Sequence, residues 1–429
     1  MEFLTFFTFV ILIVSLVSIF NERFINIPNE IAILIFTVIL AIILKIINNY
    51  FSIGWLDTSL KNLKNFKFES YLLDGVLCFM LFAGASKVKF NKFSKNIRSI
   101  TMLSFFSTAI VTFVYGALFF LFSLLFKLNL SIWICILLGS IIAPTDPIAA
   151  TGILSKLGLS KNLTTVIESE SLFNDGMGVV LFAFIKSIVT NIGTNIVLVL
   201  IKEIFGAIAV AFIVCMILVR LFRYTHKPIN YILLSILAVS LSYVICSRFG
   251  FSGCIASVLC GMIFAYYRGK NENYLSLTDE HGIYNQFWDL VDGILNNALF
   301  VLIGFMVLKI EVSYFLLLIG LSTIISTLLS RFCGVGIPLC LSKGNVLGGY
   351  SKIEYTCLMT WSALKGGLSL ALVLSAEEIL DTNVFDTMLV ATYVTILFTV
   401  IIQGLTTKGV YQKIERCKSL RIRKESDDN

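Results

Sequence analysis

The sequence predicts an all-α polytopic membrane protein, and two observations carry that prediction. Of its 429 residues 58% are apolar and only 14% charged, against about a quarter charged in soluble domains, so most of the chain must sit in lipid. Windows of about 17–25 mostly apolar residues, the helix needed to cross roughly 30 Å of hydrocarbon, recur from end to end. No soluble domain fits between them.

About thirteen spans satisfy that length and composition. The first, Phe3 to Phe20, is a helix rather than a signal peptide, because Glu2 stands where a basic n-region belongs and no small-x-small cleavage site follows. Ile31 to Ile47 is the second, Tyr71 to Ala85 a short third and Ile100 to Phe126 the fourth. The fifth and sixth, Ile132 to Leu154 and Val166 to Ile185, carry the unusual polar residues. Ile196 to Leu221, Ile229 to Ile245, a short ninth at Phe251 to Tyr266, and Phe287 to Leu308 follow. Tyr314 to Leu341, Tyr355 to Leu374 and Val384 to Leu405 complete the set.

Basic residues orient the bundle, since short loops rich in Lys and Arg stay cytoplasmic. An outside N-terminus puts inside the loop with Lys87, Lys89, Lys92, Lys95 and Arg98, and the loop with Arg220, Arg223 and Lys227. The tail with Lys413, Arg416, Lys418, Arg421, Arg423 and Lys424 then lies inside as well; Lys61, Lys64 and Lys67 are the main exception outside. This asymmetry accounts for the formal charge of +7, so the charge is no sign of nucleic-acid binding. The ten cysteines, among them Cys78, Cys135, Cys215, Cys254, Cys260 and Cys357, fall mostly inside apolar spans and form no Cys-x-x-Cys pair. They read as small hydrophobes rather than metal ligands or disulfides.

An ionisable residue within a span is costly, so each needs a partner or a watery cavity and marks a functional site. Five carry weight: Asp146, Glu170, Asp175, Arg331 and Lys365. The fifth span contains Ala143-Pro144-Thr145-Asp146-Pro147. Two prolines there remove N–H donors and clash with the preceding turn, so the helix should break in mid-membrane. Pro147 suits the first position of a restarting helix and Asp146 its N-cap. Irregular backbone at that depth is tolerated where it lines a cavity or is buried in protein; a simple proline kink is the bland alternative.

The sixth span opens with Glu168-Ser169-Glu170-Ser171-Leu172-Phe173-Asn174-Asp175-Gly176. Glu170 with Asn174, and Ser171 with Asp175, are four apart and so share helical stripes. Gly178 extends the first stripe and permits close approach. Carboxylate, hydroxyl and freed carbonyl oxygens suit a hard cation. Glu168 and Glu170 also fit the first turn of a helix, where they would offset the dipole; Asp175 lies too deep for that. Arg331 cannot shed its proton, so it needs an acid, with Glu170 the candidate, unless it snorkels to the interface. Lys365 precedes Gly366-Gly367 in the twelfth span, where the helix can end in a left-handed cap and the lysine face the negative end of a half-helix. The broken spans are thus the fifth and twelfth. An offset of seven reverses their orientation, as inverted repeats with two crossed discontinuous helices require.

In this order Thr145-Asp146-Pro147, Glu170 to Asp175, Arg331 and Lys365-Gly366-Gly367 resemble the monovalent cation:proton antiporters of the NhaP and NHE type, over nearly the whole chain. The resemblance implies an antiporter fold of the NhaA kind, a homodimer among membrane lipids, and residence in the plasma membrane with a part in pH homeostasis. It implies a core from residues 100–189 and 314–406, a dimerisation panel from 3–85 and 196–308, and a short basic cytoplasmic tail over 407–429 without a long regulatory domain. It implies that Asp175 binds cation or proton with Ser171, Thr145 and Asp146 assisting, and that Glu170 pairs with Arg331. Asn174 resembles the electroneutral branch, and Lys365 stands where many members carry Arg. No cofactor is implied beyond the transported sodium, lithium or potassium and the proton. One carboxylate holding either partner, never both, couples the two fluxes without ATP, and no Walker loop is present.

Two other readings compete. Gly250-Phe251-Ser252-Gly253 imitates a protease nucleophile motif, but His226 and His281, the only histidines, fall in the opposite loops, so it reads as a turn into the ninth span. An organic-anion symporter or a cation channel would share the architecture.

Overall fold

The computed structural model describes residues 3–51, 54, 72–88, 96–97, 99–146, 154, 157–190, 196–225, 227–270, 282–310, 314–341 and 349–427. Pro147 and the helix restart expected there, the basic residues at 61, 64, 67, 89, 92, 95 and 98, and both histidines lie outside them. The helices are α1 (Phe3–Phe20), α2 (Asn29–Phe51), α3 (Leu77–Ser86), α4 (Ser107–Leu125), α5 (Ile132–Ile142) and α6 (Lys161–Val189). There follow α7 (Ile196–Leu221), α8 (Pro228–Phe249), α9 (Gly253–Lys270), α10 (Ile283–Phe305) and α11 (Tyr314–Leu341). The last are α12 (Lys352–Trp361), α13 (Gly367–Leu374), α14 (Thr382–Leu397) and α15 (Gly404–Asp427). Among the described residues nine helical stretches are long and apolar enough to cross a bilayer, and α3, α5 and α9 are shorter apolar helices.

The starts follow from local chemistry. The hydroxyls of Ser131 and Ser160 accept from the third residue of α5 and α6, and Ser351 with Glu354 forms a capping box on α12. Gly250 sits in the left-handed region and ends α8, and the Ser252 hydroxyl accepts from Ile255 N at the start of α9. The Gly-x-Ser-Gly segment is therefore a turn whose serine serves as a cap. Wider π-type turns precede α3 and α4 and join α14 to α15. The basic segment after residue 406, expected only as a tail, is helix to Asp427, with Tyr411 and Ile414 buried beside Tyr350 and Tyr355.

α4 packs along α5 and α11, and α11 also meets α12 and α14. Elsewhere α2 lies on α10, α3 on α9, and α7, α8 and α9 on one another. The α4–α5 contact is close enough that a Cβ on Gly139 would stand 2.2 Å from the Thr112 carbonyl oxygen, an approach of the kind small residues permit in membranes. Six of the ten cysteines are buried, in the company of apolar side chains.

Two corrections arise at the helix ends. α6 begins at Lys161, so Glu168 and Glu170 lie two turns in, beyond the reach of a first-turn dipole contact. Neither Gly366 nor Gly367 has a positive φ; Gly366 is extended and opens α13. The glycines are needed for room instead. A Cβ on Gly366 would meet Asp146 at 3.0 Å, and one on Gly367 would meet Leu299 at 2.3 Å.

Candidate functional site

The site is assembled where the two broken spans meet. α5 stops at Ile142, and residues 144–146 run as irregular backbone because Pro144 cannot continue the helix. The twelfth span stops at Trp361 and resumes at Gly367. Between these breaks Asp146 N donates to the Leu364 carbonyl at 2.8 Å, an isolated antiparallel bridge. Lys365 Nζ donates to the carbonyls of Ala143 at 3.3 Å and Pro144 at 3.0 Å. Those carbonyls are the orphaned acceptors at the negative end of α5. The expected match of lysine to a half-helix end is thus made across the crossing. Lys365 N in turn donates to Thr399 Oγ1 at 3.1 Å.

α6 brings its polar stripe against the first break. Asn174 Nδ2 donates to Thr145 Oγ1 at 2.7 Å and to Glu170 Oε1 at 3.0 Å, while Thr145 N donates back to Asn174 Oδ1 at 3.2 Å. Thr145 and Ser171 hydroxyls are 2.9 Å apart. A Cβ on Gly178 would stand 2.3 Å from Pro144 Cγ, so the close approach that glycine allows is to the break itself. Arg331 reaches across from α11 and grips Glu170 with two parallel bonds, Nη1 to Oε1 and Nη2 to Oε2, each 2.8 Å. With exposures of 3% and 1%, this pair is buried, and the snorkelling alternative for Arg331 falls.

Asp175 is one residue beyond Asn174 and so projects about 100° around the helix from it. It lines a cavity of about 660 Å³ together with Pro144, Thr145, Asp146 and Gly366. The charges near enough to act on it are those of Asp146, Lys365 and Glu170. Of the residues singled out in the sequence, Asp175, Thr145, Asp146 and Glu168 face this cavity. Ser171, Asn174, Glu170, Arg331 and Lys365 stand behind them as a hydrogen-bonded wall. The Asp146 and Asp175 carboxylates and the Thr145 hydroxyl, converging beside the break, are a donor set for a hard cation or a proton.

Two groups on the same cavity, Asp292 and Asn296, escaped the sequence reading, and Lys87, also on it, reads in the sequence only as a loop cation that orients the bundle. Asp292 lies inside the predicted tenth span and met the criterion of an intramembrane carboxylate. The polar stretch at the start of that span hid it, since Asp289 and Asp292 resemble an interfacial turn.

The chain matches the family described as "Sodium/hydrogen exchanger, transmembrane" over residues 9–413. The Na+/H+ antiporter NhaP of Pseudomonas aeruginosa is 29% identical over 415 residues, covering 94% of this chain and 95% of that protein. The Na+/H+ antiporter NhaH of Halobacillus aidingensis is 28% identical over 357 residues, 81% of this chain and 84% of that one. Among solved structures, the sodium proton antiporter MjNhaP1 from Methanocaldococcus jannaschii at pH 8 superposes with a TM-score of 0.75. It covers 96% of this chain and 99% of its own at 22% identity, a likeness of fold.

Proposed function

The chain belongs to the sodium/hydrogen exchanger family, and we propose that it exchanges sodium, with lithium and potassium as alternatives, for a proton at Asp175. It is a multi-pass membrane transporter and not an enzyme. The observation that carries the assignment of the site is the placement of Asp175 in a cavity beside Thr145 and Asp146. A carboxylate in that position is neutralised by a cation or by a proton, and the two compete. If the core crosses between its two orientations only when the charge is neutralised, each half-cycle carries one of them, which is alternating access.

Electroneutral one-for-one exchange follows if Asp175 alone changes its charge during the cycle. Asn174 is committed to Thr145 and Glu170 and contributes no titrating charge. Glu170 is neutralised by Arg331. The helix contacts are consistent with a core of α4 to α6 and α11 to α14 working against the remaining helices, which would also supply a homodimer interface within the lipid of the plasma membrane. Lys87 belongs to the loop that the positive-inside rule places in the cytoplasm, so the cavity is read as opening inward, with the N-terminus outside and the C-terminus inside.

The test is purified protein in liposomes carrying a pH-sensitive dye. Adding sodium, lithium or potassium salts should drive protons out through the protein in proportion to the gradient of the accepted ion. Sodium flux that needs no proton counterflow would indicate a channel, and sodium flux that requires an organic anion a symporter; either result would overturn the reading.

A further inference from the structure

Lys87, at the end of α3, lies between two carboxylates of α10, 2.8 Å from Asp292 and 2.9 Å from Asp289. Lys87 and Asp292 line the cavity that contains Asp175, and so does Asn296, one turn beyond Asp292. Asn296 Nδ2 donates to Asp292 Oδ1 at 2.8 Å and to the Asp292 carbonyl at 3.0 Å. Two acceptors demand the NH2 end, so the amide orientation is determined and its oxygen points elsewhere. That oxygen is buried, with the residue 2% exposed, and has no hydrogen-bond partner among the described residues. A buried carbonyl oxygen left unsatisfied is costly and calls for a ligand. Next to a carboxylate, the ligand it suits is a hard cation.

We propose that Asp292 and Asn296 form a cation station in the vestibule, occupied by the Lys87 side chain, through which a transported monovalent cation passes on its way to Asp175. The inference rests on the exchange reading for its direction of travel. Lys87 is a compact charge on a flexible stem, and its side chain is 36% exposed, so its bond to Asp292 is screened by water and easily exchanged. Asp289, 61% exposed, offers a second acceptor to which the lysine withdraws when a solution cation displaces it. Lys87 is therefore an internal competitor that weakens apparent cation affinity on the face it occupies.

The test compares wild type with Lys87→Gln, Asp292→Asn and Asn296→Ala in oriented proteoliposomes, after wild-type exchange has been established. With sodium on the cytoplasmic face, Lys87→Gln should lower KM about threefold or more, with the maximal rate within about twofold, because the vestibule potential becomes more negative. Asp292→Asn and Asn296→Ala should raise KM. The Lys87→Gln effect should shrink when an impermeant salt near 1 M shortens the screening length to about 3 Å. A KM that moves in neither Lys87→Gln nor Asp292→Asn would show that the contact is only a strut, and would overturn the station while leaving exchange intact. Binding of radioactive sodium in detergent decides the matter without transport. In an Asp175→Asn background, Lys87→Gln should add binding that Asp292→Asn removes, and no added binding would equally overturn it. A thermal scan of each variant separates misfolding from a changed KM.

Discussion

Removing one partner of the Glu170–Arg331 pair should be among the most destabilising single changes in this protein. The two charges are joined by parallel bonds of 2.8 Å and shielded to 1% and 3% exposure, so neither survivor can recover solvent. Stranding a buried charge in this way costs about 3–5 kcal/mol, a large part of the roughly 5–15 kcal/mol that holds a typical domain folded. Arg331→Ala leaves Glu170, among the described residues, with the Asn174 amide on its carboxylate and the Ser104 hydroxyl on its backbone carbonyl. Arg331→Lys keeps the charge but loses the planar fork, so it should fall between wild type and Ala. Glu170→Gln combined with Arg331→Gln removes both charges and keeps polar groups, so the double variant should lose less than the two single losses added. A coupling of about 1–3 kcal/mol is expected. The assay is a mild-to-denaturing detergent titration read by tryptophan fluorescence, backed by thermal scans, with Asp175→Asn as the comparison that leaves the pair untouched. Losses that add, or an Arg331→Ala melting temperature no lower than that of Asp175→Asn, would refute the reasoning.

Asp175→Asn keeps the shape and removes the titratable charge; it should abolish sodium-driven proton movement in liposomes while the protein still elutes as folded material, and residual exchange would place the site elsewhere. Electroneutral exchange should reverse at a sodium gradient set by the two chemical gradients alone. A membrane potential of 100 mV would bias a one-charge cycle by about 2.3 kcal/mol, so a reversal point that shifts with a potassium–valinomycin potential excludes one-for-one stoichiometry, once potassium is known not to be carried. Gly178→Ala should cost about 1–3 kcal/mol by overpacking, because its Cβ would fall 2.3 Å from Pro144 Cγ, and should slow transport; unchanged stability and flux would show that the break at Pro144 is free to move.

How far the site was legible depended on what kind of signal each residue left. Proline and an intramembrane charge are local signals with a direct physical cost, so the break at Pro144 and the Glu170–Arg331 pair were readable before any coordinates. The glycines after Lys365 were read for a conformation they do not adopt. Sequence shows that a side chain is missing but not whether torsion or space requires it, and here Asp146 and Leu299 occupy the space. The start of α6 was placed five residues late, since the polar turn beginning at Lys161 has too little apolar character to register as a span. Which oxygens face the cavity was not legible at all. Ser171 and Asp175 share a stripe, yet the Ser171 hydroxyl is turned to Thr145 while Asp175 lines the cavity, a choice made by the neighbouring break rather than by helical spacing.

The bonds between the two breaks bear on how such a site can move. Discontinuous helices expose unsatisfied backbone groups, which in lipid must be paired within the protein. Here each break supplies the other's partners: the Leu364 carbonyl takes the Asp146 N–H, and Lys365 takes the carbonyls of Ala143 and Pro144. Asn174 then ties the first break to α6, and Arg331 ties α6 to α11. Sliding one broken span against the other would leave those groups unpaired in a low-dielectric interior, at the cost that buried unsatisfied polar groups carry. The crossing is therefore expected to travel as one body, keeping Thr145, Asp146 and Asp175 in constant geometry while the walls of the cavity change. On the exchange reading proposed above, access would alternate by movement of a preserved site past its surroundings, with the cation or proton on Asp175 deciding whether that body carries a net charge as it moves.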